Sequence, residues 1–64
     1  MGNRLKIARW TKGLNQRDLS FLCGVKQPRL SLIENGLRPK AEEALALAVA
    51  LGMPVETLFP EMCQ

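Results

Sequence analysis

The chain predicts an all-α domain of five short helices, and three observations carry that prediction. Apolar residues recur at helical spacing, and no run alternates as a strand would. Glycines stand where each longer apolar pattern stops, at Gly13, Gly24, Gly36 and Gly52. Residues 15–36, NQRDLSFLCGVKQPRLSLIENG, read as a helix, a tight glycine turn and a second helix that opens polar and basic.

The first helix is expected over residues 3–12, with Asn3 as N-cap and Gly13 as its end. Leu5, Ala8, Arg9 and Lys12 share one side of it, while Ile7 and Trp10 lie nearly opposite. Such a helix is either sandwiched or partly exposed to a partner, and packing of Trp10 on Phe59 or Met62 is the favoured expectation. The second helix starts at Asn15, with Asp18 three residues on as in a capping box. Leu19 and Cys23 face inward, and small Ser20 permits a close neighbour. Phe21 and Leu22 do not fit on the same face, so either one is exposed or the core extends beneath them. Gly24 makes the turn in a left-handed conformation.

The third helix is expected over 27–35. Pro28 is harmless in its first turn, where an N–H would have no intrahelical partner. Leu30 and Ile33 point inward, and Asn35-Gly36 closes the helix. A loop with Arg38, Pro39 and Lys40 leads to a fourth helix over 41–51, whose Glu42 and Glu43 complement the positive helix end. Its core stripe is read as Leu45, Ala48 and Val49 with Leu51. A short fifth helix spans 54–59, between Pro54 and Pro60.

At 64 residues, 47% of them hydrophobic, the chain is expected to form one domain over 1–64 with its core at about 3–59. No apolar run is long enough to span a membrane and no leader pattern opens the chain, so the expectation is a cytoplasmic protein. Cys23 and Cys63 form no CxxC pair, and the chain has no histidine, so no metal site is expected. Cys23 is read as a small core residue and Cys63 as a free thiol, a bridge between them being unneeded. The chain also lacks tyrosine, a glycine-rich phosphate loop and a carboxylate pair framing a nucleophile. It is therefore expected to be no enzyme and to need no cofactor or small-molecule ligand.

Charge is distributed unevenly. Residues 1–40 carry all nine Lys/Arg against Asp18 and Glu34, a balance of +7; residues 41–64 carry four glutamates and no base, a balance of −4, which together give the net +3. Halves folded side by side would present one basic and one acidic face. The basic one is a footprint for phosphate, although ordinary solvated charge remains an alternative. Lys26, Gln27 and Arg29 crowd the start of the third helix, an arrangement suited to a helix-turn-helix that enters the DNA major groove.

The segment GLNQRDLSFLCGVKQPRLSLIENG, followed by a proline loop, an Ala/Leu helix and LGMPVETLF, resembles the phage repressor and Cro family of helix-turn-helix proteins (Xre-type). The resemblance covers about residues 5–59. It implies a lambda-repressor-like domain that regulates transcription, most simply as a repressor, from the cytoplasm or nucleoid of a bacterium or phage-infected cell. By position it implies base contacts from Lys26, Gln27, Pro28 and Leu32, joined by Arg29 as a further hydrogen-bonding reader. It implies backbone contacts from Gln16, Asn35, Arg38 and Lys40, to which the basic Arg17 is added. Arg9 and Glu34 match a structural salt bridge. Pro28 and Leu32 depart from the more usual polar residues, which leaves few base readers, and Lys40 is a poor N-cap.

Few readers on a small domain imply a homodimer on a palindromic double-stranded operator. By resemblance its interface would use Leu37, Met53, Val55, Leu58 and Phe59, with monomer core as the alternative for the last three. Two other roles stay open: a protein-interaction module of the same fold with weak base recognition, suggested by Trp10, Phe21, Pro28 and Leu32, and an antitoxin or controller component.

Overall fold

The computed structural model describes residues 3–63. The chain forms α1 (Leu5–Thr11), α2 (Gln16–Cys23), α3 (Gln27–Glu34), α4 (Ala41–Leu51) and α5 (Val55–Leu58), followed by a 3-10 turn over Pro60–Cys63. That last turn was not expected from the sequence. Among the described residues there is no strand, and no helix is long and apolar enough to cross a membrane.

Side-chain caps set several of these boundaries. At α2 the reciprocal box is complete: Asn15 Oδ1 accepts the Asp18 N–H at 2.8 Å, and Asp18 Oδ2 accepts the Asn15 N–H at 3.2 Å. The N-cap residue of α1 is Arg4 and not the expected Asn3; Asn3 instead accepts the Leu5 N–H at 3.0 Å and donates its Nδ2 to the Ile33 carbonyl at 2.8 Å, tying the start of α1 to the end of α3. The α4 start has only half a box. Glu43 accepts the Lys40 N–H at 2.8 Å, but the Lys40 ammonium has no acceptor to return.

Two glycines do work that a Cβ would oppose. Gly24, at φ 79°, reverses the chain between α2 and α3 and donates its N–H to the Ser20 carbonyl. Gly36, at φ 113°, donates to Ile33 while Leu37 donates to Leu32, the paired bonds of a Schellman end.

Every helix contributes to one core. Leu5 of α1, Leu19 of α2, Leu30 and Ile33 of α3, Leu47 and Leu51 of α4, Leu58 of α5 and Phe59 are all fully buried. Ala8, Ala44 and Ala48 fill the close approaches between them. Cys23 is half-buried against this cluster. The expectation for the Cys63 thiol lies outside the described side chains.

Two expectations about faces need correction, and one left open is resolved. The buried stripe of α4 is Ala44, Leu47, Ala48 and Leu51, whereas Leu45 and Val49 face water. A helix apolar on every side leaves its phase to its neighbours, and packing on α2 and α5 selects the alanine-rich side. Trp10 does not pack on Phe59 or Met62. It lies exposed with Ile7, and the Lys6 ammonium sits 5.9 Å from its ring centroid. Phe21 and Leu22 are likewise exposed, so the core does not extend beneath them.

Candidate nucleic-acid interface

The helix α3 is held by one side. Leu30, Ile33 and Glu34 are buried, so the residues of the opposite side and of the first turn stay clear of the fold. Lys26, Gln27, Pro28, Leu32 and Asn35 are exposed, and Ser31 is half-buried among them. Lys26 and Pro54, the residues before α3 and α5, are both extended, and Pro28 sits inside the first turn of α3. The Asn35 amide donates one hydrogen back to the Ser31 carbonyl at 3.0 Å, which leaves its second hydrogen as a donor on the outer surface.

The far end of α3 is locked by a buried network. Arg9 of α1 donates from Nε to Glu34 Oε2 at 2.7 Å and from Nη2 to Oε1 at 3.2 Å. Its Nη1 reaches the Leu14 carbonyl at 2.9 Å. The Gln16 amide of α2 adds a third donor to Glu34 Oε1 at 3.2 Å. The side chains of Arg9 and Glu34 are only 8% and 1% exposed, so this charge pair is removed from water and fully partnered. One carboxylate thereby joins α1, α2 and α3.

Arg29 departs from its expected role as an outward reader. It falls on the flank of α3 nearest α4, where Nε and Nη2 both donate to Glu43, the latter at 2.8 Å. This fork-to-carboxylate pair leaves Nη1 without a protein partner among the described residues. Arg29's hydrogen bond holds the Glu43 carboxyl down at about 2; the Lys40 N–H and the charges of Arg29 and Lys40 act in the same direction, and partial burial opposes them. The same bond pushes the Arg29 guanidinium further toward its charged form.

Among the cations free of ion pairs in the described residues, four lie on or beside α2 and α3: Lys26 at the start of α3, Arg17 in the first turn of α2, and Arg38 and Lys40 in the loop after α3. Gln16 is half-buried and its amide is engaged by Glu34 through one hydrogen; its second hydrogen and its backbone N–H at the α2 start remain. The start of α3 and the start of α2 thus both offer donors, on two helices held at a fixed angle by Leu19, Val25 and Leu30.

The expected interface set divides. Leu58 and Phe59 are completely buried in the monomer and cannot also meet a second copy, which corrects their assignment to a dimer contact. Leu37 is exposed, and Met53 and Val55 are partly buried against the core.

A model of helix-turn-helix domains matches residues 5–58. The chain belongs to the Xre-type helix-turn-helix family. That is a DNA-binding family and not an enzymatic one. Comparison with curated proteins gave no match. The family match spans all five helices and leaves out only the two ends of the chain.

Sequence reasoning missed two contributors to this Xre-type domain. Glu43 was read only as a charge at a helix start, yet it also orients Arg29. The KAEE spacing from Lys40 to Glu43 carried the signal for its cap bond, but nothing local marks a partner 14 residues upstream. Asn3 was read only as a cap, and its second bond, to the Ile33 carbonyl, depends on the tertiary fold.

Proposed function

We propose that this protein is a sequence-specific double-stranded DNA-binding regulator of transcription, a repressor, that lays α3 in the major groove and uses two copies on a palindromic operator. The observation that carries the reading is the exposed edge Lys26-Gln27-Pro28 with Leu32, on a helix whose other side is fixed by Leu30, Ile33 and Glu34. Gln27 pairs with adenine through N6 and N7, while Pro28 and Leu32 meet thymine methyl groups. Lys26 supplies a charge-assisted donor to a guanine edge or a phosphate. Arg29 shares in base reading only through Nη1, since its other donors serve Glu43.

Phosphates are held by the donors at the start of α2, from Gln16 and Arg17, and by Asn35, Arg38 and Lys40 at the far end of α3. These contacts set the register. Each good bidentate base contact contributes about 1–3 kcal/mol of discrimination, so one copy with a single clear bidentate reader is only modestly selective. Two copies on half-sites about one helical turn apart double that discrimination. Repression follows from occupancy, in the cytoplasm of a bacterial or phage-infected cell, as the bound protein excludes the transcription machinery.

The test is selection of bound sequences from a random DNA pool, followed by titration of the recovered site at increasing salt. The logarithm of affinity should fall with the logarithm of salt by about 0.9 per neutralised phosphate, and Gln27→Ala should lose cognate affinity while keeping affinity for random DNA. Binding indifferent to salt, or an equal loss on both DNAs, would refute it. A protein-interaction role is the second reading, favoured by Phe21, which is 89% exposed. A gel shift on random DNA at low salt separates the two, because an interaction module gives no shift.

A further inference from the structure

The face formed jointly by α2 and α4 carries a cluster of apolar side chains that the fold leaves uncovered. Phe21 and Leu22 of α2 and Leu45 and Val49 of α4 are 89%, 56%, 60% and 76% exposed. With side chains of ordinary size these four leave on the order of 500 Å2 of apolar surface in water, in the upper range of the largest patch on a soluble monomer, about 300–600 Å2. Trp10, the other exposed aromatic among the described residues, has the Lys6 ammonium over its ring; no such cover lies on Phe21. None of the four residues takes part in the core, the caps or the proposed DNA contacts, so nothing assigned so far accounts for them.

The face is also shaped to receive itself. A shallow groove runs between Leu22 and Val49, with Leu45, Ala46 and Ala50 along it, and the two alanines leave it room. A second depression beside it is bordered by Leu14, Arg17 and the ring of Phe21, and the two meet at Leu22. A projecting ring and an alanine-lined groove therefore stand next to each other on one surface. A two-fold axis near Leu22 places each ring in the other copy's groove, the reciprocal arrangement that an isologous interface requires.

Charge agrees with that operation. Arg17 borders the α2 end of the face and Glu42 borders the α4 end. The same two-fold brings each Arg17 toward the other copy's Glu42. Asp18, the acid beside Arg17, is committed to the Asn15 cap. A specific interface takes about 800 Å2 from each partner; the four apolar side chains supply more than half of it and the bordering residues the remainder.

We infer that the α2–α4 face is a self-association surface, in which Phe21 of each copy seats in the Leu22–Ala46–Val49 groove of a second copy and Arg17 pairs with Glu42 across a two-fold axis. The inference does not rest on DNA recognition; where Arg17 pairs with Glu42 of a second copy, the phosphate contact at the start of α2 falls to Gln16. This surface lies apart from the interface expected at Leu37, Met53, Val55, Leu58 and Phe59, of which the core consumes the last two.

Sedimentation equilibrium of the full chain, from about 1 μM to about 1 mM, tests it without DNA. The expected result is a reversible monomer–dimer equilibrium. Phe21→Ser and Val49→Lys should each weaken it by roughly tenfold or more, with circular-dichroism melts in dilute solution unchanged because both side chains are exposed. Arg17→Glu and Glu42→Arg should each weaken it, and the two together should restore it, which only cross-copy pairing predicts. A monomer at every concentration, a ladder of larger species, a dimer indifferent to Phe21→Ser, or no restoration in the double variant would overturn the inference. Loss of the dimer would leave the DNA-binding reading to its own test at single half-sites.

Discussion

Removal of the Glu34 carboxylate is the perturbation to which this fold should respond most sharply. In Glu34→Ala the Arg9 guanidinium stays among Leu14, Gln16 and the core with two of its three hydrogen bonds gone. Breaking a buried pair by removing one partner costs about 3–5 kcal/mol. A domain of this length has only about 3–10 kcal/mol of total stability, at about 0.05–0.15 kcal/mol per residue. The variant should therefore be mostly or partly unfolded at room temperature, with a melting temperature lower by on the order of 20 °C. Replacing both partners, as in Arg9→Met/Glu34→Leu, removes the stranded charge and should return to within about 1 kcal/mol of the parent. Urea unfolding followed by circular dichroism measures Glu34→Ala and the closed cycle of parent, Arg9→Met, Glu34→Leu and their double variant, and the coupling is the difference between the double variant and the summed singles. A loss below about 1 kcal/mol for Glu34→Ala, or a double variant whose cost equals that sum, would refute the placement of this pair in a dry, partnered site.

Two further outcomes follow from the packing and the ion pairs. The folded Glu43 carboxyl protonates at about 2 against its ordinary 4.5, so the unfolded chain binds the proton first on acidification. Its contribution to stability is then fully present above pH 4.5 and lost as the pH falls toward 2, and the melting-temperature gap between the parent and Glu43→Gln should shrink across that window; a gap that stays constant there would contradict the pairing. Leu58→Ala should cost about 2–5 kcal/mol, independent of protein concentration, since Leu58 is core and not interface. A cost that fades on dilution would return Leu58 to an intermolecular contact.

Much of this architecture was legible because its boundaries are local. Asn15 with Asp18, Gly24 and Asn35-Gly36 fix helix starts and ends through bonds that span a few residues, Pro28 marks a first turn by its fixed backbone angle, and sequence spacing records such signals directly. What was not legible depends on which neighbour a face meets. From Ala44 to Leu51 every residue of α4 is apolar, so the pattern has no phase of its own, and Leu45 with Val49 was misplaced inward. Trp10 was misplaced for a related reason: a large aromatic is expected in the core, but the side of α1 facing inward already holds Leu5, Ala8 and Arg9. At the interface, Gln27 and Lys26 stand clear because they open the helix, a position that sequence shows. The turning of Arg29 toward Glu43 depends on how α3 sits against the start of α4, which no local pattern encodes.

The two ion pairs on α3 differ in a way that bears on how it could read DNA. At its C-terminal end Glu34 is dry and carries three donors from α1 and α2, so that end is fixed to the body of the domain. At its N-terminal end the Arg29 side chain is 36% exposed, its partner Glu43 reaches water, and Nη1 is already uncommitted. A part-exposed pair is weakened by salt, whereas the buried one cannot be opened without stranding a charge. The edge from Lys26 to Pro28 therefore projects from a helix whose direction is set at one end and only steadied at the other. Gln27 depends on that direction, because a bidentate contact tolerates little misplacement. Arg29 depends on it less, because Nη1 is uncommitted on a long side chain whose other donors stay with Glu43. The division of labour in the proposed interface is thus a rigid glutamine that reads and an arginine that the fold holds in reserve.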